Sequence, residues 1–315
     1  MTDVLTVGET MASMRAGAPL RLGGPMSLSI AGAESNVAIG LARLGHGAGW
    51  VGVVGADELG TLVLRTLRAE GVTLEAARVD PDRPTGVMVV ERRIGDLSSV
   101  IYHRSGSAGS TVSAEDVAAG FRVPPSWVHL TGITPALGEP ARGAVDAAVA
   151  RARDTGVPVS LDVNFRRRLW TEDAAAECLR RLAPRTRLLI ASEDELHLAA
   201  PAGARTEEDR VAALLDAGVA EVVVKRGARG ASLYGAGGRV DRPARTVQVA
   251  DTIGAGDAFV AGLLSATLDD LDVSARLERA VACGAFAVAS AGDWEGLPTR
   301  ADLALLDLEA GTAQR

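Results

Sequence analysis

Short runs of β-branched residues alternate with longer amphipathic stretches along most of the chain. The pattern predicts strands at residues 4–7, 50–54, 127–130, 157–162, 187–190 and 221–225. It predicts helices at residues 34–44, 60–70, 141–154, 207–217, 257–268 and 275–289. Strands that alternate with helices in this way are typical of βαβ units and a parallel sheet. We therefore predict an α/β fold with three layers, α/β/α, a mostly parallel central sheet and a ligand site outside the carboxyl ends of the strands.

Two segments, at about residues 11–30 and 85–107, interrupt this rhythm. They contain Gly, Pro and period-two alternation, as in "TGVMVVE" and "SSVIYHR", and no helical pattern lies within them. Such alternation predicts strands, so we expect a small second sheet that covers the ligand site as a lid. A chain of 315 residues is long enough for one large domain, and we expect residues 1–315 to form it, lid included.

Composition and charge exclude several classes of protein. The net charge of −7 argues against a general affinity for nucleic acid or for an anionic membrane. The amino terminus lacks the basic start of a signal peptide, and the uncharged run at 280–292 is too short to cross a bilayer. We expect a cytoplasmic protein in which Cys178 and Cys283, both in helical patterns, are buried free thiols.

Other common ligand motifs are missing or misplaced. The stretch "GAGWVG" at 47–52 matches a dinucleotide-binding pattern, but it leads into a predicted strand where that motif needs a helix. The chain contains no Walker-type phosphate loop. Its four histidines have no metal-binding spacing, and we expect them to be structural; they are His46, His103, His129 and His197.

The stretch "DTIGAGDAFVAG" at 251–262 places Gly254 and Gly256 directly before Asp257, at the start of a predicted helix. Glycines let backbone N–H groups approach an anion closely, and the helix amino terminus adds the positive end of its dipole. A carboxylate in the first turn of a helix can also have no catalytic role and simply stabilise the helix by its interaction with the positive end of the dipole. However, a base beside an anion hole is the arrangement that phosphoryl transfer requires.

Six motifs in a fixed order carry a resemblance to a known family. They are "AGAESNVAIGLARLG" (31–45), "GADELG" (55–60), "LDVNFRRRLW" (161–170), "SEDE" (192–195), "KRGARG" (225–230) and "DTIGAGDAF" (251–259). Together they resemble the ribokinase-like sugar kinases, also called the phosphofructokinase B family, over essentially the whole chain. The resemblance implies a ribokinase-like fold, ATP as the phosphoryl donor and Mg²⁺ as its metal.

The resemblance also implies roles for individual residues. Asp257 would take the proton from a sugar hydroxyl, and the backbone of Gly254, Ala255 and Gly256 would form the anion hole. Glu195 would act on Mg²⁺ through water. The residues implied for the nucleotide site are Asn164, Ser192, Lys225, Gly227, Gly230 and Thr252, with small apolar residues around Ala282, Ala285 and Ala289 at the adenine. Ser192 and Val281 stand where the family often has Asn.

Candidate sugar contacts come from several parts of the chain. By resemblance, Gly32, Ala33 and Asn36 would contact substrate hydroxyls; their alternative role is a helix cap with packing contacts. Tyr102 and Arg104 are two residues apart on the expected lid, so their side chains share a face.

Arginines indicate the charge of the substrate. Arg166 follows a predicted strand, and we expect at least one residue of the run 166–168 to be a solvated surface arginine. Two guanidinium groups suit a carboxylate better than a neutral hexose, because a carboxylate accepts paired charge-assisted hydrogen bonds.

These stretches, with "LTGITPAL" (130–137) and "GDWEGLP" (292–298), resemble the 2-keto-3-deoxygluconate kinase branch of the family. That implies phosphorylation of the terminal hydroxyl of a 2-keto-3-deoxy sugar acid. Arg104 and Arg166 would hold the acid, and Tyr102 and Ile133 would shape the pocket. Met88 replaces a frequent aromatic residue, so the pocket could accept another sugar acid or an epimer.

Two alternatives to a sugar-acid kinase stay open at this stage. One is a kinase for a neutral sugar such as fructose or ribose, or for a nucleoside. The other is a sugar-binding sensor without catalysis. The edges and apolar face expected of a lid sheet further predict a homodimer that forms through the lids.

Overall fold

The computed structural model describes residues 2–94 and 97–307. Its strands are β1 (Val4–Val7), β2 (Met11–Ala16), β3 (Met26–Ala31), β4 (Ala48–Gly55), β5 (Ala77–Asp80), β6 (Val87–Ile94), β7 (Leu97–His103), β8 (Trp127–Thr131), β9 (Val159–Asp162), β10 (Leu188–Ser192), β11 (Glu221–Lys225), β12 (Ala231–Gly235) and β13 (Gly238–Arg242). Its helices are α1 (Ala33–Arg43), α2 (Glu58–Ala69), α3 (Ala114–Gly120), α4 (Glu139–Thr155), α5 (Glu172–Leu182), α6 (Leu196–Ala199), α7 (Glu207–Asp216), α8 (Ala255–Leu268) and α9 (Val273–Val288).

The large sheet has nine strands in the order β13-β12-β11-β10-β9-β8-β1-β4-β5. The seven strands from β11 to β5 are parallel, and β12 and β13 form an antiparallel edge. This confirms the predicted α/β class with a mostly parallel sheet. Because the seven strands are parallel, their carboxyl ends meet at one edge, where α/β proteins bind their ligands.

Two hydrophobic clusters cover the two faces of this sheet. In β1, Leu5 and Val7 belong to one cluster and Val4 to the other, as the alternation of side chains along a strand requires. Helices α3, α4, α5 and α7 contribute to the first cluster, and helices α1, α2, α8 and α9 contribute to the second. The result is the three-layer arrangement predicted from the sequence. Cys178 and Cys283 are buried free thiols in these layers.

The second sheet has four strands in the order β3-β2-β6-β7, all within the segments expected to form the lid. Residues 95 and 96 of that expected lid lie outside the described residues. A small apolar cluster of Met11, Ala31, Met88 and Val90 lies on one of its faces.

Several element boundaries differ from the prediction. Strand β9 begins at Val159 and not at 157, and α8 begins at Ala255 and not at 257. Helix α2 begins at Glu58 because Asp57 accepts a hydrogen bond from the N–H of Gly60 and so caps it. The sequence pattern did not identify strands β5, β12 and β13, nor helices α3, α5 and α6. Among the helices in the described part of the chain, none is long and apolar enough to span a bilayer.

Candidate active site

Gly254 fixes the geometry of the glycine-rich turn. It is the residue before α8, its φ is +79°, and a Cβ placed on it would lie 2.0 Å from the carbonyl oxygen of Asp293. Only glycine fits such a conformation and such a close approach. The first N–H groups of α8 have no carbonyl partner within the helix, so they point out of its amino terminus. The turn therefore has the form of an anion cradle.

Asp257 lies in the first turn of α8, beside this cradle, and is hydrogen-bonded to Asn36. Nδ2 of Asn36 donates to Oδ2 of Asp257 across 2.8 Å. Burial raises the pKa of Asp257 to about 7, although the hydrogen bond from Asn36 and the charge of Arg166 both act to lower it. Such a carboxyl group changes its protonation state near neutral pH, as a general base must.

A buried ion pair lies beneath the cradle. Nζ of Lys225, at the end of β11, is 2.9 Å and 2.7 Å from the two carboxylate oxygens of Asp162, at the end of β9. The same Nζ lies 3.6 Å from the point that a Cβ on Gly256 would occupy, so the ammonium group is next to the cradle. Sequence analysis assigned Lys225 to the nucleotide site but missed Asp162. An acidic residue at the end of a predicted strand was the available signal.

Glu195 connects the loops that follow two neighbouring strands. One carboxylate oxygen accepts the N–H of Phe165 at 2.8 Å, and the other accepts the N–H of Ser192 at 3.2 Å. Asn164, next to Phe165, is buried and has a φ of +40°, which is uncommon for a residue other than glycine. The groups assigned to metal and phosphates therefore lie at one edge of the sheet. No cluster of three metal-binding side chains occurs within residues 2–94 and 97–307.

The remaining nucleotide residues follow β11, precede α8, or lie on or at the end of α9. Gly227 and Gly230 have φ values of +55° and +96°, and a Cβ on Gly230 would lie 1.9 Å from the carbonyl oxygen of Arg242. Thr252 is exposed in the turn before α8. On α9, Ala282 lines a cavity of about 290 Å³ together with residues that include Arg245. Val281 and Ala285 are buried, and Ala289 is exposed at the end of that helix.

A cavity of about 300 Å³ lies between the small sheet and the loop after β9. Its lining residues are Val100, Tyr102, Arg104, Phe165, Arg166, Arg167, Arg168 and Leu169. The structure thus brings together Tyr102, Arg104 and Arg166, which sequence analysis had taken from two distant segments. Ile133, also predicted to shape the sugar pocket, is buried and is not one of these lining residues.

Arg104 is held by a buried glutamate that sequence analysis did not identify. Its Nε and Nη2 lie 2.7 Å and 2.5 Å from Oε2 of Glu9, and both side chains are at least nine-tenths buried. Ser107 donates to the other oxygen of Glu9 at 2.5 Å. The guanidinium also lies 5.7 Å from the centre of the Tyr102 ring. Arg104 therefore has a fixed orientation at the cavity, and part of its charge is already compensated.

The three consecutive arginines differ in their partners. Arg166 is exposed and donates to the carbonyl of its neighbour Phe165 at 3.3 Å. Arg167 forms a surface ion pair with Glu172 at 2.7 Å, and its side chain is 82% exposed, so it is the surface arginine expected in this run. Arg168 donates to the carbonyl of Val100 in the small sheet.

The residues at the start of α1 pack closely against the loop after β1. A Cβ on Gly32 would lie 2.5 Å from the carbonyl oxygen of Glu9, and Ala33 is partly exposed beside it. Asn36 is buried, and no group in the described part of the chain forms a hydrogen bond with its Oδ1. The Nδ2 group of Asn36 therefore donates to Asp257, while its Oδ1 can accept a hydrogen bond from a ligand.

The fold and this site define a carbohydrate kinase, and comparison with known proteins agrees. The family model described as pfkB family carbohydrate kinase matches residues 1–300. The chain therefore belongs to the pfkB family of carbohydrate kinases.

Individual relatives cover nearly the whole chain. A 2-dehydro-3-deoxygluconokinase of Bacillus subtilis (strain 168) is 35% identical over 313 residues, covering 96% of this chain and 94% of its own. A fructokinase of Escherichia coli is 32% identical over 281 residues, covering 86% and 90%. The solved structure of a putative ribokinase II from E. coli, in complex with ATP and Mg²⁺, is 28% identical with a TM-score of 0.91, covering 98% of this chain and 99% of its own. The ribokinase-like fold predicted from the sequence is thus confirmed.

Proposed function

We propose that this kinase transfers the γ-phosphoryl group of ATP to the terminal hydroxyl of a 2-keto-3-deoxy sugar acid. The best candidate is 2-keto-3-deoxygluconate, the compound otherwise called 2-dehydro-3-deoxygluconate. The observation that carries the proposal is the meeting of Tyr102, Arg104 and Arg166 at one cavity of about 300 Å³. Guanidinium groups bind a carboxylate through paired, charge-assisted hydrogen bonds, whereas a neutral sugar gives them no such partner.

In this proposal, Asp257 accepts the proton of the sugar hydroxyl as that oxygen attacks the γ-phosphorus, and the bond from the γ-phosphorus to the bridging oxygen breaks to release ADP. A base whose pKa is about 7 is ionised in a large fraction of molecules at neutral pH and can still take up a proton. The backbone of Gly254, Ala255 and Gly256 then donates to the charge that develops on the transferred phosphoryl group. The ammonium of Lys225, next to Gly256, adds positive charge at the same place.

ATP would bind along the ends of β9 to β11 and the start of α8, with Asn164, Ser192, Gly227, Gly230 and Thr252 around it. Bound Mg²⁺ would neutralise part of the charge on the phosphates. This ion usually keeps several waters and needs only one or two carboxylates beside the phosphates. Glu195 fits that role, because each of its oxygens accepts one backbone N–H and keeps a lone pair for a water molecule.

A kinase for a neutral ketose is the second candidate, and two observations favour it. A fructokinase is nearly as similar to the chain as the sugar-acid kinase is. In addition, Glu9 already compensates part of the charge of Arg104. The two candidates differ in whether Arg166 meets a negative charge on the substrate.

A substrate panel with two arginine variants tests the proposal. We expect the wild-type protein, with ATP and Mg²⁺, to phosphorylate 2-keto-3-deoxygluconate with a kcat/KM well above that for fructose or ribose. Arg166→Gln should raise KM for the sugar acid by about tenfold or more, because the substitution removes one charged hydrogen bond to the substrate. The same substitution should change the kinetics with fructose little. The control, Arg153→Gln, removes a solvated charge from a residue that does not line this cavity. Preference for fructose, or equal effects of the two substitutions, would contradict the sugar-acid assignment.

The small sheet also supports a proposal about assembly and place of action. Its exposed apolar side chains include Met26, Leu28 and Ile101, with exposures of 43%, 52% and 38%. We propose that this face pairs with a second copy of the chain and that the small sheet closes over the bound sugar as a lid. We expect a dimer in sedimentation at micromolar concentration, and a Leu28→Glu variant should be monomeric. As an ATP-dependent kinase, the protein would act in the cytoplasm.

A further inference from the structure

Arg15, on strand β2 of the small sheet, bridges two carboxylates of the main domain. Its Nη1 lies 2.5 Å from Oδ2 of Asp251, and its Nη2 lies 2.8 Å from Oδ2 of Asp293. The exposures of the three side chains are 17%, 12% and 4%, respectively, so the network is largely removed from water. Ion pairs with this little exposure depend strongly on geometry and fix the groups that take part.

Both carboxylates belong to residues that shape the glycine-rich turn. Oδ1 of Asp251 accepts the N–H of Ile253 at 3.1 Å, which holds the turn from inside. The backbone of Asp293 packs closely against the outer side of the turn, because its carbonyl oxygen lies 2.0 Å from the point that a Cβ on Gly254 would occupy. The guanidinium of Arg15 therefore ties together the two segments that define where the backbone donors of the turn point.

Other contacts link the small sheet to the same place. The side chain of Ile253 packs against the small sheet's cluster of Met11, Ala31, Met88 and Val90. Oγ of Ser13 donates to Asp293 at 3.4 Å. Oγ of Ser29 donates to Oε1 of Glu295 at 2.5 Å, two residues after Asp293. The small sheet thus contacts both the turn and the segment behind it.

We propose that Arg15 is a positioning residue for phosphoryl transfer. It couples the position of the small sheet, which carries Tyr102 and leads directly into Arg104 at the sugar cavity, to the backbone donors around Gly254. The inference rests on the proposed function in requiring that a sugar binds at that cavity. Its consequence is that a sugar held under the sheet also sets the alignment of the anion hole. Arg15 is not one of the residues that line the sugar cavity, and its ion pairs are with Asp251 and Asp293, so in this proposal it acts through the turn.

The test compares Arg15→Gln, Arg15→Lys and the control Arg21→Gln, which removes an exposed charge from the same region of the chain. We expect Arg15→Gln to lower kcat by about 10- to 100-fold, since small displacements of catalytic groups cost up to about that much. The dissociation constant for ATP, measured by calorimetry, should change less than about threefold. Arg15→Lys should recover part of kcat, because an ammonium keeps the charge without the fork that spans two carboxylates. Arg21→Gln should match the wild type.

A second variant keeps the test decisive if Arg15→Gln folds poorly. Asp293→Asn preserves the shape of the partner and removes its charge, and it should lower kcat in the same direction. The assays use whichever sugar the wild-type protein phosphorylates best, so a wrong sugar-acid assignment would appear in the panel and not here. The proposal is overturned if both variants keep kcat within twofold of the wild type. It is also overturned if kcat/KM falls in the two variants only because they bind ATP or the sugar more weakly.

Discussion

Nδ2 of Asn36, on α1, donates a hydrogen bond to Oδ2 of Asp257, on α8, across 2.8 Å. The two residues are 221 positions apart in the chain, and each belongs to a different motif of the sequence. This contact joins the end of the site assigned to the sugar to the carboxylate assigned as the base. It orients that carboxylate and favours its ionised form.

Replacement of Asp257 by Asn tests the base directly. The substitution keeps the shape of the side chain and removes its capacity to accept a proton, so we expect kcat to fall by about 10²- to 10⁴-fold. The dissociation constant for ATP, measured by calorimetry, should stay within a few-fold of the wild type. A variant that keeps a tenth or more of wild-type turnover would remove Asp257 from the role of base.

The raised pKa of Asp257 predicts the pH dependence of activity and stability. The ionised form is the active base, so kcat/KM should rise with pH and level off above about 7. Because the folded pKa lies above the unfolded one, this carboxyl contributes stability below about pH 4 that is lost as pH rises through about 7. In denaturant titrations, Asp257→Asn should therefore gain stability relative to the wild type between pH 4 and 8. A constant difference over that range would contradict the raised pKa.

Replacement of Asn36 by Ala should move the same titration. Loss of its hydrogen bond removes an interaction that lowers the pKa of Asp257, so the rise in kcat/KM should occur at higher pH. The defect should be larger at pH 6 than at pH 8.5. Measuring kcat/KM across this pH range with one sugar provides an internal control. A fall in kcat/KM that is equal at every pH would mean that Asn36 acts only on substrate binding or folding.

Gly254→Ala tests the shape of the anion cradle. A Cβ there would meet the carbonyl of Asp293 at 2.0 Å, and the φ of +79° is unfavourable for alanine. We expect the turn to shift and kcat to fall by about 100-fold. The matched control is Gly143→Ala on α4, where a Cβ would meet no described heavy atom within 4 Å beyond its chain neighbours and the backbone of its own helix. That variant should keep full activity and gain up to about 1 kcal/mol of unfolding free energy. Equal behaviour of the two variants would contradict the role of Gly254.

Lys225→Met tests the ion pair beneath the cradle. The substitution leaves Asp162, which is 1% exposed, without its cation, and we expect the free energy of unfolding to fall by roughly 3 kcal/mol. The control, Arg167→Met, breaks a solvated pair and should cost at most about 1 kcal/mol. Adding Asp162→Asn to Lys225→Met should restore part of the stability, as measured by urea unfolding. No recovery in the double variant would show that the loss comes from packing and not from the unpaired charge.

Local patterns predicted much of the fold and several parts of the site. Alternating strand and helix patterns identified the parallel sheet, since side-chain periodicity reports which face of an element is buried. The pair Gly254 and Asp257 was recognisable because an anion cradle needs small residues, and because phosphoryl transfer needs a base beside that cradle. The start of α8 was two residues out, because Gly254, in a left-handed conformation, ends the preceding turn and lets the helix begin at Ala255.

Electrostatic partners were not predictable in this way. Arg104 looked like a free cation for the substrate, yet it pairs with Glu9, 95 residues earlier in the chain. Lys225 pairs with Asp162 at a separation of 63 residues, and Arg15 reaches Asp251 at a separation of 236. Each charged residue taken alone is most simply read as solvated.

The sequence by itself determined most of the element types, the layered sheet and the candidate groups that we propose to take a proton and to hold a phosphate. Only the tertiary structure decided which charges meet and which carboxyl group has a raised pKa. The physical reason is that periodicity and glycine geometry act between neighbours along the chain. Charge compensation and desolvation depend instead on distances between strands and helices that are brought together by folding.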